Sequence, residues 1–97
     1  MIYLVKSIEN VKPFELFLRF NTGEIRVVNL EEKLREWSKA PGSKYKQLLD
    51  PEYFINVKLD SEMESVYWEN GIDFCPDTLY SWSVPIGKDV PLVSLAS

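Results

Sequence analysis

A small α+β domain is the fold the sequence predicts, and three features predict it. Turn residues punctuate short apolar runs at Asn21-Thr22-Gly23-Glu24 and at Asn70-Gly71. The flanking runs alternate, or are rich in β-branched and aromatic residues, as strands are. Helix-start residues and helical spacing follow at Asn29, Asp50 and Pro76. The expected architecture is a small antiparallel β-sheet built from two hairpins, residues 14–28 and 65–75, with short helices packed on it. Residues 1–82 are expected to form one α+β domain, and residues 83–97 an irregular apolar C-terminal tail.

Tyr3 to Ile8 reads as the first strand. Phe14 to Phe20 is the second, with Phe14, Leu16, Leu18 and Phe20 on one face by strict alternation. Ile25 to Val28 is the third. A two-residue Thr22-Gly23 loop would set Phe20 opposite Ile25 and Leu18 opposite Val27, at the cost of opposing Arg19 and Arg26 on the other face. A three-residue bulged loop would avoid that like-charge pair, so the register stays open.

Asn29 is a good helix N-cap, with Glu32 in capping-box position. Leu30, Leu34 and Trp37 then form one buried stripe, and Ala40-Pro41-Gly42-Ser43 ends the helix. Lys44 to Leu49 suits a helical turn with Tyr45, Leu48 and Leu49 inward. Asp50-Pro51 is a cap-and-proline start for another turn. Ile55 to Leu59 alternates like a strand, and Asp60 to Glu64 is a turn. Asn70-Gly71 reads as a type I′ loop between strands Ser65–Glu69 and Ile72–Cys75, pairing Trp68 with Asp73. Pro76 opens a short helix to about Trp82. Val84, Ile86, Val90, Leu92, Val93 and Leu95 make the tail too apolar for a purely solvated one, and Val90–Leu95 is expected to be buried.

Composition excludes several function classes. Of the 97 residues, 45% are hydrophobic and none is histidine, so the commonest general base and metal ligand are missing. No Gly-rich phosphate loop occurs, no apolar run is long enough for a membrane span, and no signal peptide is visible. The lone Cys75 fits a reducing cytoplasm, and the expected localisation is cytoplasmic. Residues 1–59 carry ten Lys/Arg and eight Asp/Glu; residues 60–97 carry only Lys88 against seven Asp/Glu. An acidic C-terminal half repels phosphate backbones; it would suit a basic partner, but a solubilising acidic face is the simpler reading.

Several residues invite a chemical reading. Asp73 beside Trp68 could be an acid or base near an aromatic wall, but a structural carboxylate accepting nearby N–H groups fits better. Trp37, Trp68 and Trp82 could stack bases, but such platforms come with basic grooves, so core packing is expected. Cys75 has no histidine to activate it and reads as a small core residue. Asp60-Ser61-Glu62-Met63-Glu64 lacks the pattern of a calcium loop and reads as a solvated turn. No catalytic, cofactor-binding or metal-ligating residue is therefore assigned.

The run Trp68-Glu69-Asn70-Gly71-Ile72-Asp73-Phe74-Cys75-Pro76-Asp77-Thr78-Leu79-Tyr80 resembles the C-terminal signature W-x-N-G-x-D-x-x-P-(D/E)-x-L-Y of a bacterial family, domain of unknown function 2442. The residues carrying it are Trp68, Asn70, Gly71, Asp73, Pro76, Asp77, Leu79 and Tyr80. Phe20-Asn21-Thr22-Gly23-Glu24 and Asp50-Pro51-Glu52-Tyr53-Phe54 resemble its earlier segments, and the likeness covers about residues 2–81. Ser38–Lys46 and the tail beyond Trp82 depart from the pattern. The resemblance implies an α+β fold around a small antiparallel sheet and no established catalytic residue. It also implies products encoded beside another small protein, as in toxin–antitoxin pairs. Some members carry a helix-turn-helix domain for which this chain has no room, so direct DNA binding is not expected.

The expected function is a non-enzymatic protein-interaction module, antitoxin-like, whose partner is another protein, one with a basic surface. No cofactor is expected. Homo-oligomerisation could run through the tail or a sheet edge. The alternatives are a partner-dependent DNA-associated regulator and a carboxylate-based enzyme using Asp73 and Asp77.

Overall fold

The computed structural model describes residues 2–86. Its elements are β1 (Val5–Lys12), β2 (Glu15–Phe20), β3 (Ile25–Asn29), α1 (Glu31–Trp37), α2 (Tyr45–Leu48), α3 (Pro51–Phe54), β4 (Lys58–Asp60), β5 (Ser65–Tyr67), β6 (Asp73–Phe74), α4 (Pro76–Trp82) and β7 (Val84–Pro85). The fold is α+β, but the strands form two antiparallel sheets rather than one: β1-β2-β3-β7 and β4-β5-β6.

The alternation in β2 sets the larger sheet. Leu16, Leu18 and Phe20 are buried on one face, with Val28 opposite Leu16. Asparagine and glutamate interrupt the apolar pattern after Ile8, so the first strand was expected to stop there. It continues to Lys12 because two register irregularities, between Val5 and Ser7 and between Ile8 and Asn10, absorb the extra residues. The strand then turns through Pro13-Phe14, where Phe14 sits at φ 67°. Its ring packs edge-on against Phe54 at 5.7 Å, and its carbonyl accepts the Leu30 N–H. Such a backbone conformation is held in non-glycine residues by the surrounding packing.

The β2–β3 loop is the three-residue one. Phe20 N–H donates to Glu24 O and Gly23 N–H to Phe20 O, with Gly23 at φ 90°. Leu18 therefore faces Arg26, and Arg19 faces Ile25. The shift turns Ile25 and Val27 to the outer face and brings Arg26 to the core side.

The second hairpin repeats this geometry and corrects the type I′ expectation. Trp68 N–H donates to Ile72 O and Gly71 N–H to Trp68 O, with Gly71 at φ 98°. Asn70 does not take positive φ, as a type I′ turn would require. Trp68 now pairs with Ile72, both buried, and Asp73 pairs with Tyr67 and is exposed.

Short helices close the core. Leu30 and Leu34, Leu48, Phe54 and Leu79 are all fully buried against the sheets. Asn29 caps one residue further out than expected: α1 starts at Glu31, whose N–H donates to Asn29 Oδ1 at 3.0 Å. Asp50 caps α3 through Glu52 N–H as its sequence suggested. Ile55 ends α3 and is exposed, so the expected strand 55–59 shrinks to Lys58–Asp60. Ser83 is buried and Val84–Pro85 pairs with Val27 and Arg26, so the larger sheet continues past the expected domain edge at residue 82. The expected burial of Val90–Leu95 lies outside the described residues. No described helix is long and apolar enough to cross a membrane.

Candidate functional site

Of the signature residues, Asp77 and Tyr80 belong to a structural clamp, Gly71 and Asp73 line a surface groove, and Trp68 and Leu79 are core. The clamp centres on Tyr80, carried on α4. Its ring stacks on Tyr3 with centroids 3.7 Å apart and lies edge-on to Phe20 at 5.1 Å. The Arg26 guanidinium lies 4.0 Å from its centroid, a cation–π contact. Its hydroxyl donates to Glu24 Oε1 at 2.6 Å. Arg26 also pairs with Glu24 at 2.9 Å and donates to Ser83 Oγ and Ser83 O. Asp77 Oδ1 accepts the Tyr3 N–H at 2.8 Å, which ties the N-terminal segment to α4. The Tyr80 hydroxyl and then Thr22 hold the Glu24 carboxyl below the usual carboxylate range. The Glu24 hydrogen bond and burial push the Tyr80 phenol up. These groups bond to one another and hold the first hairpin, α4 and β7 together.

The groove lies between the second hairpin and the α1–α2 connection. Its volume is about 420 Å³, and Trp37, Ala40, Ser43, Lys44, Tyr45, Gly71, Ile72 and Asp73 line it. Trp37 and Tyr45 are half-buried, with ring centroids 5.0 Å apart, and form the aromatic wall. Trp37 continues into Phe74 and Trp82, at 6.0 and 5.9 Å. Asn70 fixes the hairpin to α2, donating to Lys44 O at 3.2 Å and Gln47 Oε1 at 2.9 Å, while its own Oδ1 accepts Ile72 N–H. The Ser43 hydroxyl donates to Trp37 O and accepts Tyr45 N–H, shaping the connection. Lys44 and Asp73 give the groove one charge of each sign.

Asp73 corrects the sequence expectation. It is exposed, is not close to the Trp68 face, and makes no hydrogen bond or ion pair among the described residues. Cys75 is also corrected: it is exposed, as the residue preceding α4. Trp68 is core, donating its indole N–H to Phe54 O. Asp60 Oδ1 is used within its turn, accepting from Glu62 and Met63 N–H. Among the described residues no group of three His, Cys, Asp or Glu could hold a metal ion.

A smaller cleft of about 190 Å³ is lined by Tyr53, Asn56, Lys58, Trp68 and Glu69. The Lys58–Glu69 ion pair, 2.8 Å, stands in it. Their hydrogen bond raises the Lys58 pKa and lowers that of Glu69.

Sequence reasoning placed Trp37 and Tyr45 in the core and gave Lys44 no role. Their approach to Gly71 and Asp73 is a long-range contact that no local pattern encodes. The one available signal was the departure of Ser38–Lys46 from the family pattern: most of the groove's lining on that side comes from this stretch.

None of the curated proteins matches this chain. A crystal structure described as a "putative DNA binding protein" from Nitrosomonas europaea is similar, with a TM-score of 0.68 and 28% identity. The match covers 84% of this chain and 49% of that one, so the chain spans about half of that protein's length. The model of the protein family of unknown function DUF2442 matches residues 5–85, and the chain belongs to that family.

Proposed function

We propose that this protein is a non-enzymatic interaction module that receives a cationic side chain of a partner protein in the groove between its second hairpin and the α1–α2 connection. One observation carries the reading: the exposed Asp73 carboxylate, unbonded among the described residues, lines the same groove as the half-buried rings of Trp37 and Tyr45. A partner Arg or Lys can pair with the carboxylate while its stem and charge lie against the aromatic faces. The net charge of −4 favours a basic partner. The partnership we propose is the antitoxin-like one that the family resemblance suggests, with a small protein as the second member.

A second reading, a DNA-associated regulator acting through its partner, is favoured by the description of the Nitrosomonas protein as DNA binding. The matched residues 5–85 carry ten Lys/Arg and fourteen Asp/Glu, a balance of −4. That charge argues for DNA contact by the partner rather than by this chain.

Affinity capture from the native host tests the proposal, with wild-type, Asp73→Lys and Tyr45→Ala baits and nuclease-treated extract. The expected result is a protein captured by wild type and lost from both variants, with their folding unchanged. Capture that ignores both substitutions would overturn the groove as the site. Capture that disappears with nuclease treatment would favour the second reading.

A further inference from the structure

We infer that a second copy of this chain packs on the outer face of the four-stranded sheet. The strand register places Asn10, Phe17, Val27 and Val84 in one row across β1, β2, β3 and β7. Ile25 stands beside this row, and Ile86 reaches it by donating its N–H to Ile25 O at 3.1 Å. Phe17, Ile25, Val27 and Val84 stand outside the hydrophobic core, and Val84 is 58% exposed. The buried residues of all four helices lie with Leu16, Leu18, Phe20 and Val28, on the opposite face. The outer face therefore carries an apolar stripe of half-buried Phe17, Ile25 and Val27 and exposed Val84 among polar neighbours, with the Lys12 ammonium 5.5 Å from the Phe17 ring centroid, and among the described residues helices pack only on the opposite face.

Pairing through a sheet edge is disfavoured on both sides. β1 carries two register irregularities and the charged Lys6, Glu9 and Lys12. β7 is two residues long, and Pro85 has no N–H to donate. The face is left.

The charges on that face select the occupant. Glu15, Phe17 and Arg19 point outward from β2, so opposite charges flank Phe17 two residues to either side. A copy related by a two-fold axis along the Asn10–Phe17–Val27–Val84 row sets Phe17 on Phe17 and Val27 on Val27. Because the axis reverses the strand direction, Glu15 of each copy meets Arg19 of the other, giving two equivalent ion pairs. An isologous contact requires such self-complementarity. Arg19 already bonds Glu9 at 3.2 Å, and its remaining donors stay available. The contact is a face-to-face sheet packing of ordinary type. It is independent of the groove, so either reading can fail without the other.

Sedimentation equilibrium of the full chain, from low micromolar to millimolar concentration, tests the inference. A concentration-dependent dimer is expected. Phe17→Glu should leave a folded monomer, since the residue points outward. Glu15→Arg and Arg19→Glu should each weaken the dimer by about tenfold through like-charge contact. The double reversal should recover wild-type association to within about threefold, because the pair is restored. A chain that stays monomeric throughout, a dimer that survives Phe17→Glu, or a double reversal no better than the single ones would overturn it.

Discussion

The indole N–H of Trp68 donates to the backbone carbonyl of Phe54 at 2.9 Å, and the two rings lie 5.3 Å apart. This contact joins the second hairpin to α3 inside the core, where Trp68 is 1% exposed. Trp68→Phe removes the donor and leaves unfilled volume at once. We expect a loss of about 2–4 kcal/mol, from the cavity and the lost hydrogen bond together. Urea denaturation measures it, and a loss under about 1 kcal/mol would show that the core closes over the vacancy.

Gly71 and Asn70 should both matter, for different reasons. Gly71 sits at φ 98°, where a β-branched residue is strained, so Gly71→Val should destabilise by about 1–3 kcal/mol. A type I′ turn would make Asn70→Gly nearly neutral, because both its loop positions take positive φ. The Asn70 amide instead bridges to Lys44 O and Gln47 Oε1, so Asn70→Gly should cost about 1 kcal/mol. Denaturation midpoints of the two variants check both expectations.

Acid should act partly through Glu24. Its folded pKa lies below the ordinary 4.5, chiefly because Tyr80 and Thr22 donate to the carboxylate. A depressed folded pKa means that stabilisation is present above the unfolded value and is lost as pH falls through the folded one. Stability should therefore decline as pH drops below about 4.5. Glu9 and Glu69 contribute in the same direction. Tyr80→Phe removes the shorter of the two hydroxyl hydrogen bonds to Glu24, so its stability should fall less steeply than wild type's over that acid range. Thermal melts of both proteins across the range decide; parallel profiles would leave the Tyr80–Glu24 bond without weight.

Asp73→Ala should leave stability within about 0.5 kcal/mol, since the side chain is exposed and unbonded among the described residues. Binding to the proposed partner should be lost in the same variant. Calorimetric titration with a captured partner, run beside a denaturation curve, separates the two effects. A clear loss of stability would return Asp73 to a structural role.

Much of this protein is local and was legible in its sequence. The α+β class, the buried Leu30 and Leu34 stripe, the Asp50–Pro51 helix start and the Pro76 helix all follow from spacing, caps and fixed dihedrals. So did the two hairpins, because glycine between apolar runs marks a turn. What the glycines did not reveal was loop length. Two- and three-residue loops use the same residues but differ by one position in register, and one position turns every side chain to the other face.

That single step was decided by tertiary packing. At the first hairpin it carries Arg26 inward to Tyr80 and Ser83, and turns Ile25 and Val27 outward. At the second it buries Ile72 beside Trp68 and releases Asp73 to solvent. In each case the aromatic residue before the loop, Phe20 or Trp68, is buried, and loop length decides which residues of the following strand share its face. The groove has the same origin: Asp73 lies far along the chain from Trp37 and Tyr45, and only the docking of the hairpin on the α1–α2 connection brings it to them. Local chemistry sets which elements form; which faces they show is set by the apolar surface that must leave water together.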